Sequence, residues 1–192
     1  WDDTSEDAIL WVKIPTVNEG SDTILYLYYD STQPDNTSYV GNIGSPAGQE
    51  VWSSYVGVWH LSGDYDGTSR EVKDSSPTAN HGTAGSGMRA PTKVPVWIGD
   101  GQYFDGSSTN TPAGHDQYIE IPDNDAYSVP TTGYLEWEYW YKPTVYNFYY
   151  NDTLLSHVNI LGKGQNNPLQ YEWCSSIGSK DHEYKPYFFT NY

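Results

Sequence analysis

The sequence is short of several things, and each shortage excludes something. It holds one cysteine, Cys174, in 192 residues, so no intrachain disulfide framework staples it. That lone thiol reads as a small buried apolar residue, or as one half of an intermolecular pair. Lys and Arg number 9 against 25 Asp and Glu, a formal charge of −16. A chain so poor in positive charge repels phosphate backbones and anionic membrane surfaces, which argues against nucleic-acid partners. No apolar run is long enough to span a bilayer, so membrane insertion is not expected either. Helical periodicity, internal repeats and low-complexity tracts are all missing. There is no initiator methionine and no leader, and the opening at Trp1 reads as a piece of something longer.

Aromatic side chains are abundant: 19 Tyr, 8 Trp and 4 Phe make up 16% of the chain. That is too much ring surface for a disordered polymer. Gly and Pro number 18 and 12, and they punctuate short β-branched and aromatic runs. "AILWVKI" (8–14) and "TILYLYY" (23–29), split by turn chemistry, predict a β-hairpin. Residues 34–50 read as a polar linker. A second series follows from about residue 51: "YVGVWHL" (55–61), "VPVWI" (94–98), "QYFDG" (102–106), "QYIEIP" (117–122), "YLEWEYWYK" (134–142), "LLSHVNILGKG" (154–164), "QYEWCSSI" (170–177) and "PYFFTNY" (186–192). The turn spacing predicts an all-β sandwich. Alternation in "YLEWEYWYK" puts Leu135, Trp137, Tyr139 and Tyr141 on the buried face, and Glu136, Glu138, Trp140 and Lys142 on the other.

The second series, in its order, resembles the LamG-like jelly roll of the concanavalin A-like lectin and glucanase superfamily. The carrying motifs are Trp59-His60-Leu61, "VKDSSPTANHGT" (72–83), Phe104-Asp105-Gly106, "QYIEIP", and the strand closing on "WYKP" (140–143). The first 30 residues resemble the last two strands of a β-domain of unknown function that precedes LamG-like domains in archaeal and bacterial surface proteins. The organisation expected is therefore a partial β-module over 1–33, a linker over 34–50, and a LamG-like jelly-roll sandwich over 51–192. Two departures from the family pattern stand out. "SSTNTPAGH" is inserted before Asp116, and the sequence stops before the strands that would complete a jelly roll. The sandwich is thus expected to be truncated at its C-terminus, with another copy or chain covering the sheet edge there.

Candidate site residues follow from composition and from the resemblance together. The Asp residues on loops are hard oxygen donors suited to calcium. The resemblance implies one structural calcium at the sandwich rim, with Asp74, Asp105 and Asp116 as its ligands. The competing reading is that these Asp residues, with Asp64, Asp66, Asp123 and Asp125, cap their own turns. Trp140, Tyr146 and Tyr149 are candidate glycan-stacking rings, against a reading as core packing. Asn36 and Asn151 begin glycosylation sequons. His60 reads as a structural strand-end residue rather than a base or ligand. Glu136 and Glu138 are the one pair suggesting a glycoside hydrolase. In the related glucanases, however, an Asp stands between the two Glu, where Trp137 stands here. The function expected is a non-catalytic extracellular or cell-surface recognition and adhesion module, binding glycan or protein. The alternative is a structural subunit of a filament, sheath or virion.

Overall fold

The computed structural model describes residues 8–105, 117–129, 133–144, 149–150, 153–154, 157–166, 169–178 and 185–190. Those residues form a β-rich fold with little helix, arranged in small antiparallel sheets. Strand β1 (Thr83–Ala84) pairs with β4 (Ile119–Glu120), and β2 (Thr92–Pro95) with β3 (Asp100–Tyr103). β5 (Tyr149–Tyr150) pairs with β6 (Thr153–Leu154). The largest sheet is a meander of β7 (His157–Asn166), β8 (Leu169–Gly178) and β9 (Lys185–Thr190), with β8 in the centre.

The β2–β3 hairpin closes through Val96 N–H donating to the Gly99 carbonyl at 2.9 Å. Gly99 sits at φ +65, a left-handed conformation that costs glycine little. In the meander, β8 is buried on both faces along Trp173, Cys174, Ser175, Ser176 and Ile177. Cys174 is a free, buried thiol there. The register of β7 shifts twice, between Asn159 and Leu161 and between Lys163 and Gly164. Such bulges bend a strand and raise its twist.

The 3₁₀ turn Asp125–Tyr127 ties the sheets together. Asn124 caps it, its side chain accepting from Ala126 N–H. Trp173 Nε1 donates to the Tyr127 carbonyl at 2.8 Å, and Trp59 meets the Tyr127 ring edge-on at 5.9 Å. Lys163 reaches Asp123 at 3.0 Å and Glu172 at 3.4 Å, and also donates to the Ser128 hydroxyl. Glu172 accepts from Val129 N–H at 2.8 Å. Burial lowers the Lys163 pKa, but the adjacent Asp123 and Glu172 carboxylates outweigh it and raise the pKa overall.

One expectation needs correction, and two features were not foreseen. The 8–29 hairpin does not form: neither "AILWVKI" nor "TILYLYY" is a strand, and no ladder joins them. The linker contains a helix, α1 (Pro46–Val51). Ser45 caps it by accepting from Gly48 N–H, and Pro46 opens it, the favoured cap and first-turn residues. Finally, the N-terminal run rests on the elements that follow it. Trp11 stacks on His60 at 4.9 Å and meets Trp52 at 5.4 Å. Lys13 Nζ bonds Glu50 Oε1 at 2.8 Å and Ser53 Oγ at 2.6 Å.

Candidate functional site

The loop from Trp59 to Gly82 is organised by Asp74, which is fully buried. Its Oδ1 accepts from Val58 N–H at 2.9 Å and Ser76 N–H at 2.8 Å. Its Oδ2 accepts from Ser76 Oγ at 3.0 Å and Asn80 N–H at 2.8 Å. A carboxylate offers about four lone-pair positions, and protein donors take all four. A cation at Asp74 would have to displace backbone N–H groups. The Asp74 N–H itself donates to His81 Nδ1 at 3.0 Å, which fixes His81 as the tautomer protonated at Nε2. Burial lowers the His81 pKa, with Lys73 and Arg70 adding to it and Asp74 opposing.

The other loop carboxylates have separate tasks. Asp66 accepts from Thr68 N–H and Oγ1, closing its own turn. Asp64 pairs with Lys93 at 2.7 Å. Asp105 is exposed, and its backbone N–H donates to Gln117. Among the described residues, no group of three or more His, Cys, Asp or Glu is placed to hold a metal. Asp116 lies outside the described residues, so the calcium reading now rests on Asp105 and on a residue without described geometry.

His60 packs against both Trp11 and Trp52, which also meet each other, with Tyr55 edge-on to Trp52 at 5.6 Å. Burial lowers its pKa. The next residue, Leu61, takes φ +57, a rare conformation for a bulky side chain. Gln102 Nε2 holds it there, donating to Leu61 O at 2.9 Å and Gly63 O at 2.8 Å. The cavity beside His60, lined in part by Ile43, Tyr65 and Glu71, is about 130 Å³. Ligand pockets run roughly 300–1,000 Å³, so this space is a packing gap. Sequence reasoning singled out His60 but missed Trp52, eight residues away, and Trp11, which nothing local links to a residue 49 positions on.

A more open surface runs along residues 134–142. Among the described residues the segment joins no ladder, and its side-chain exposure alternates with a period of two over 134–140. Two of its odd-numbered side chains meet β8: Trp137 stacks on Trp173 at 5.0 Å, and the Tyr139 and Ser175 hydroxyls bond at 2.6 Å. Leu135, Trp137 and Tyr139 are half-buried as the alternation predicts, but Tyr141 is 48% exposed. Its even-numbered side chains, Tyr134, Glu136, Glu138, Trp140 and Lys142, are all exposed. Tyr134 and Trp140 reach 80% and 84% exposure. Same-face residues on an extended chain are roughly 6.5–7 Å apart, so an extended 134–140 run would set Tyr134 and Trp140 ~20 Å apart, with Glu136 and Glu138 between them in sequence.

Of the three glycan candidates, Trp140 is thus exposed. Tyr149 lies in β5 with no described side chain, and Tyr146 lies outside the described residues. Asn36 is exposed in a turn whose carbonyl accepts from Tyr39 and Val40 N–H, while Asn151 is outside the described residues. Tyr134 opens the strand run read from the sequence but was not among the glycan candidates. No known protein family matches the chain, and neither a curated protein nor a solved structure does.

Proposed function

We propose that the protein is a non-catalytic recognition module of a secreted or cell-surface protein, and that it binds glycans along the exposed face of residues 134–142. The frame would be a concanavalin A-like jelly-roll sandwich, which the LamG-like resemblance implies and the β-rich fold accommodates. One observation carries the reading: two exposed aromatic rings bracket two exposed carboxylates on one segment. A Trp or Tyr face is an apolar plane suited to the C–H face of a pyranose. Carboxylates accept strong hydrogen bonds from hydroxyl groups. A row of this length suits an extended oligosaccharide better than a single sugar. Stacking of Trp137 on Trp173 and the bond between the Tyr139 and Ser175 hydroxyls anchor the segment to β8.

A glycan array probed with the wild-type chain and with Trp140→Ala tests this. Saturable binding is expected, at least about tenfold weaker in the variant, as befits loss of a central aromatic anchor. Glu136→Gln is expected to weaken binding without sparing or abolishing any turnover. Hydrolysis of a bound glycan that disappears in Glu136→Gln would overturn the non-catalytic part of the reading.

A further inference from the structure

The side chain of Asn36 is left over by the turn that carries it. Short polar side chains elsewhere on the loops are spent on nearby backbone. Asp30 accepts from Thr32 N–H and Oγ1, Asp66 from Thr68 N–H and Oγ1, and Asn124 from Ala126 N–H. Asn80 Nδ2 donates to the Pro122 carbonyl. The turn at Asn36 closes with backbone alone. Thr37 N–H donates to the Asp35 carbonyl at 2.9 Å, and Tyr39 and Val40 N–H donate to the Asn36 carbonyl at 3.0 and 2.9 Å. Among the described residues, neither the Asn36 amide nor the Ser38 hydroxyl has a hydrogen-bond partner. Both residues are exposed.

The sequence gives that free amide a chemical context. Asn36-Thr37-Ser38 is an acceptor triplet, with no proline between the asparagine and the hydroxyl two residues on. Asn18 and Asn42 are exposed as well, but Gly20 and Gly44 stand where the hydroxyl is required. Exposure and the acceptor pattern therefore coincide at Asn36.

We propose that Asn36 is an N-glycosylation acceptor and that the mature protein carries an oligosaccharide there. The proposal rests on the reading of this chain as part of a secreted or cell-surface protein, and it uses no residue of the 134–142 face. In the transfer, Asn36 Nδ2 bonds to the anomeric carbon of an oligosaccharide carried on a lipid diphosphate. The sugar–phosphate C–O bond breaks, the lipid diphosphate leaves with its electron pair, and the amide gives up one proton. Donor and transferase belong to the secretory membrane of the producing cell. A bulky, hydrated group attached to this turn displaces no packed side chain and breaks none of the three backbone bonds that close it.

The test is expression behind a secretion leader in cells that hold such a transferase, as wild type, Asn36→Gln, Ser38→Ala and Asn151→Gln. Mass spectrometry before and after an amide-cleaving glycosidase reads the modification and its position. Secreted and retained chains are both measured, so poor secretion does not hide the outcome. The wild type and Asn151→Gln are expected to carry a glycan at Asn36 that the glycosidase removes. Asn36→Gln and Ser38→Ala are expected to lose it, and the exposed, unpaired state of both side chains keeps folding out of the comparison. An unmodified Asn36 in the wild type overturns the proposal. So does a modification that survives Ser38→Ala, or one confined to Asn151. Glycan binding by the 134–142 face is measured on chain from cells without the transferase, so either reading fails alone.

Discussion

Asp74 binds four protein donors with two oxygens in a site with no exposure. Replacing it with alanine strands Val58 N–H, Ser76 N–H, Ser76 Oγ and Asn80 N–H inside the protein. Each buried donor left unpaired costs about 1–3 kcal/mol, less where water enters. Asp74→Ala should therefore lower stability by about 3 kcal/mol or more, read by urea denaturation. A loss under ~1 kcal/mol would show that the loop does not depend on this carboxylate. His81 adds a pH signature to the same loop. Its pKa and that of His60 are both lowered from 6.5, chiefly by burial. The folded chain thus refuses protons that the unfolded chain accepts. Stability should be complete above about pH 6.5 and decline as pH falls from there toward the depressed folded values. Protonation also turns His81 Nδ1 into a donor facing the Asp74 N–H. Melting temperatures across this range should show the decline, and His81→Asn, whose Oδ1 still accepts, should flatten it. An unchanged slope in that variant would remove His81 from the account.

At the scale of elements, α1 and the 134–142 segment show what local sequence reveals. Alternation placed Leu135, Trp137 and Tyr139 on the covered face and Glu136 and Glu138 in water. That periodicity is a property of the chain itself. Tyr141 departs from it: its ring meets Tyr139 at 5.7 Å but stays 48% exposed. Ser45-Pro46 is a helix start, but Gly41, Gly44 and Gly48 around it resemble turn chemistry, and the six-residue helix passed as linker. Ser45→Ala should cost about 1 kcal/mol, with α1 amides exchanging faster while β7–β9 amides do not. Unaltered exchange at α1 would mean the cap contributes nothing. The 8–29 hairpin was misread for the opposite reason. Strand propensity was plain, but it does not say whether a partner strand is present. The contacts of Trp11 with His60 and Trp52 and the Lys13–Glu50 pair were illegible because they join residues about 40 to 50 positions apart. Asp74 was half-legible: Asp-Ser-Ser announces a turn, but not its bond to Val58.

Across the whole molecule, the central claim is that one exposed face, bracketed by Tyr134 and Trp140, recognises glycan. The aromatic wealth of the sequence does not by itself identify this face. Trp173 and Trp137 spend their rings on each other, and Trp11, Trp52 and His60 on theirs. Trp140 shares its exposure with Trp97 and is set apart by the carboxylates at 136 and 138 beside it. The most direct measurement is chemical-shift mapping of the isotopically labelled chain, titrated with a glycan selected on the array. The account predicts perturbations concentrated on residues 134–142 and on the Trp140 indole, with the loop around Asp74 unmoved. Perturbations centred on His60 or on Trp97, or none with any glycan tested, would contradict it.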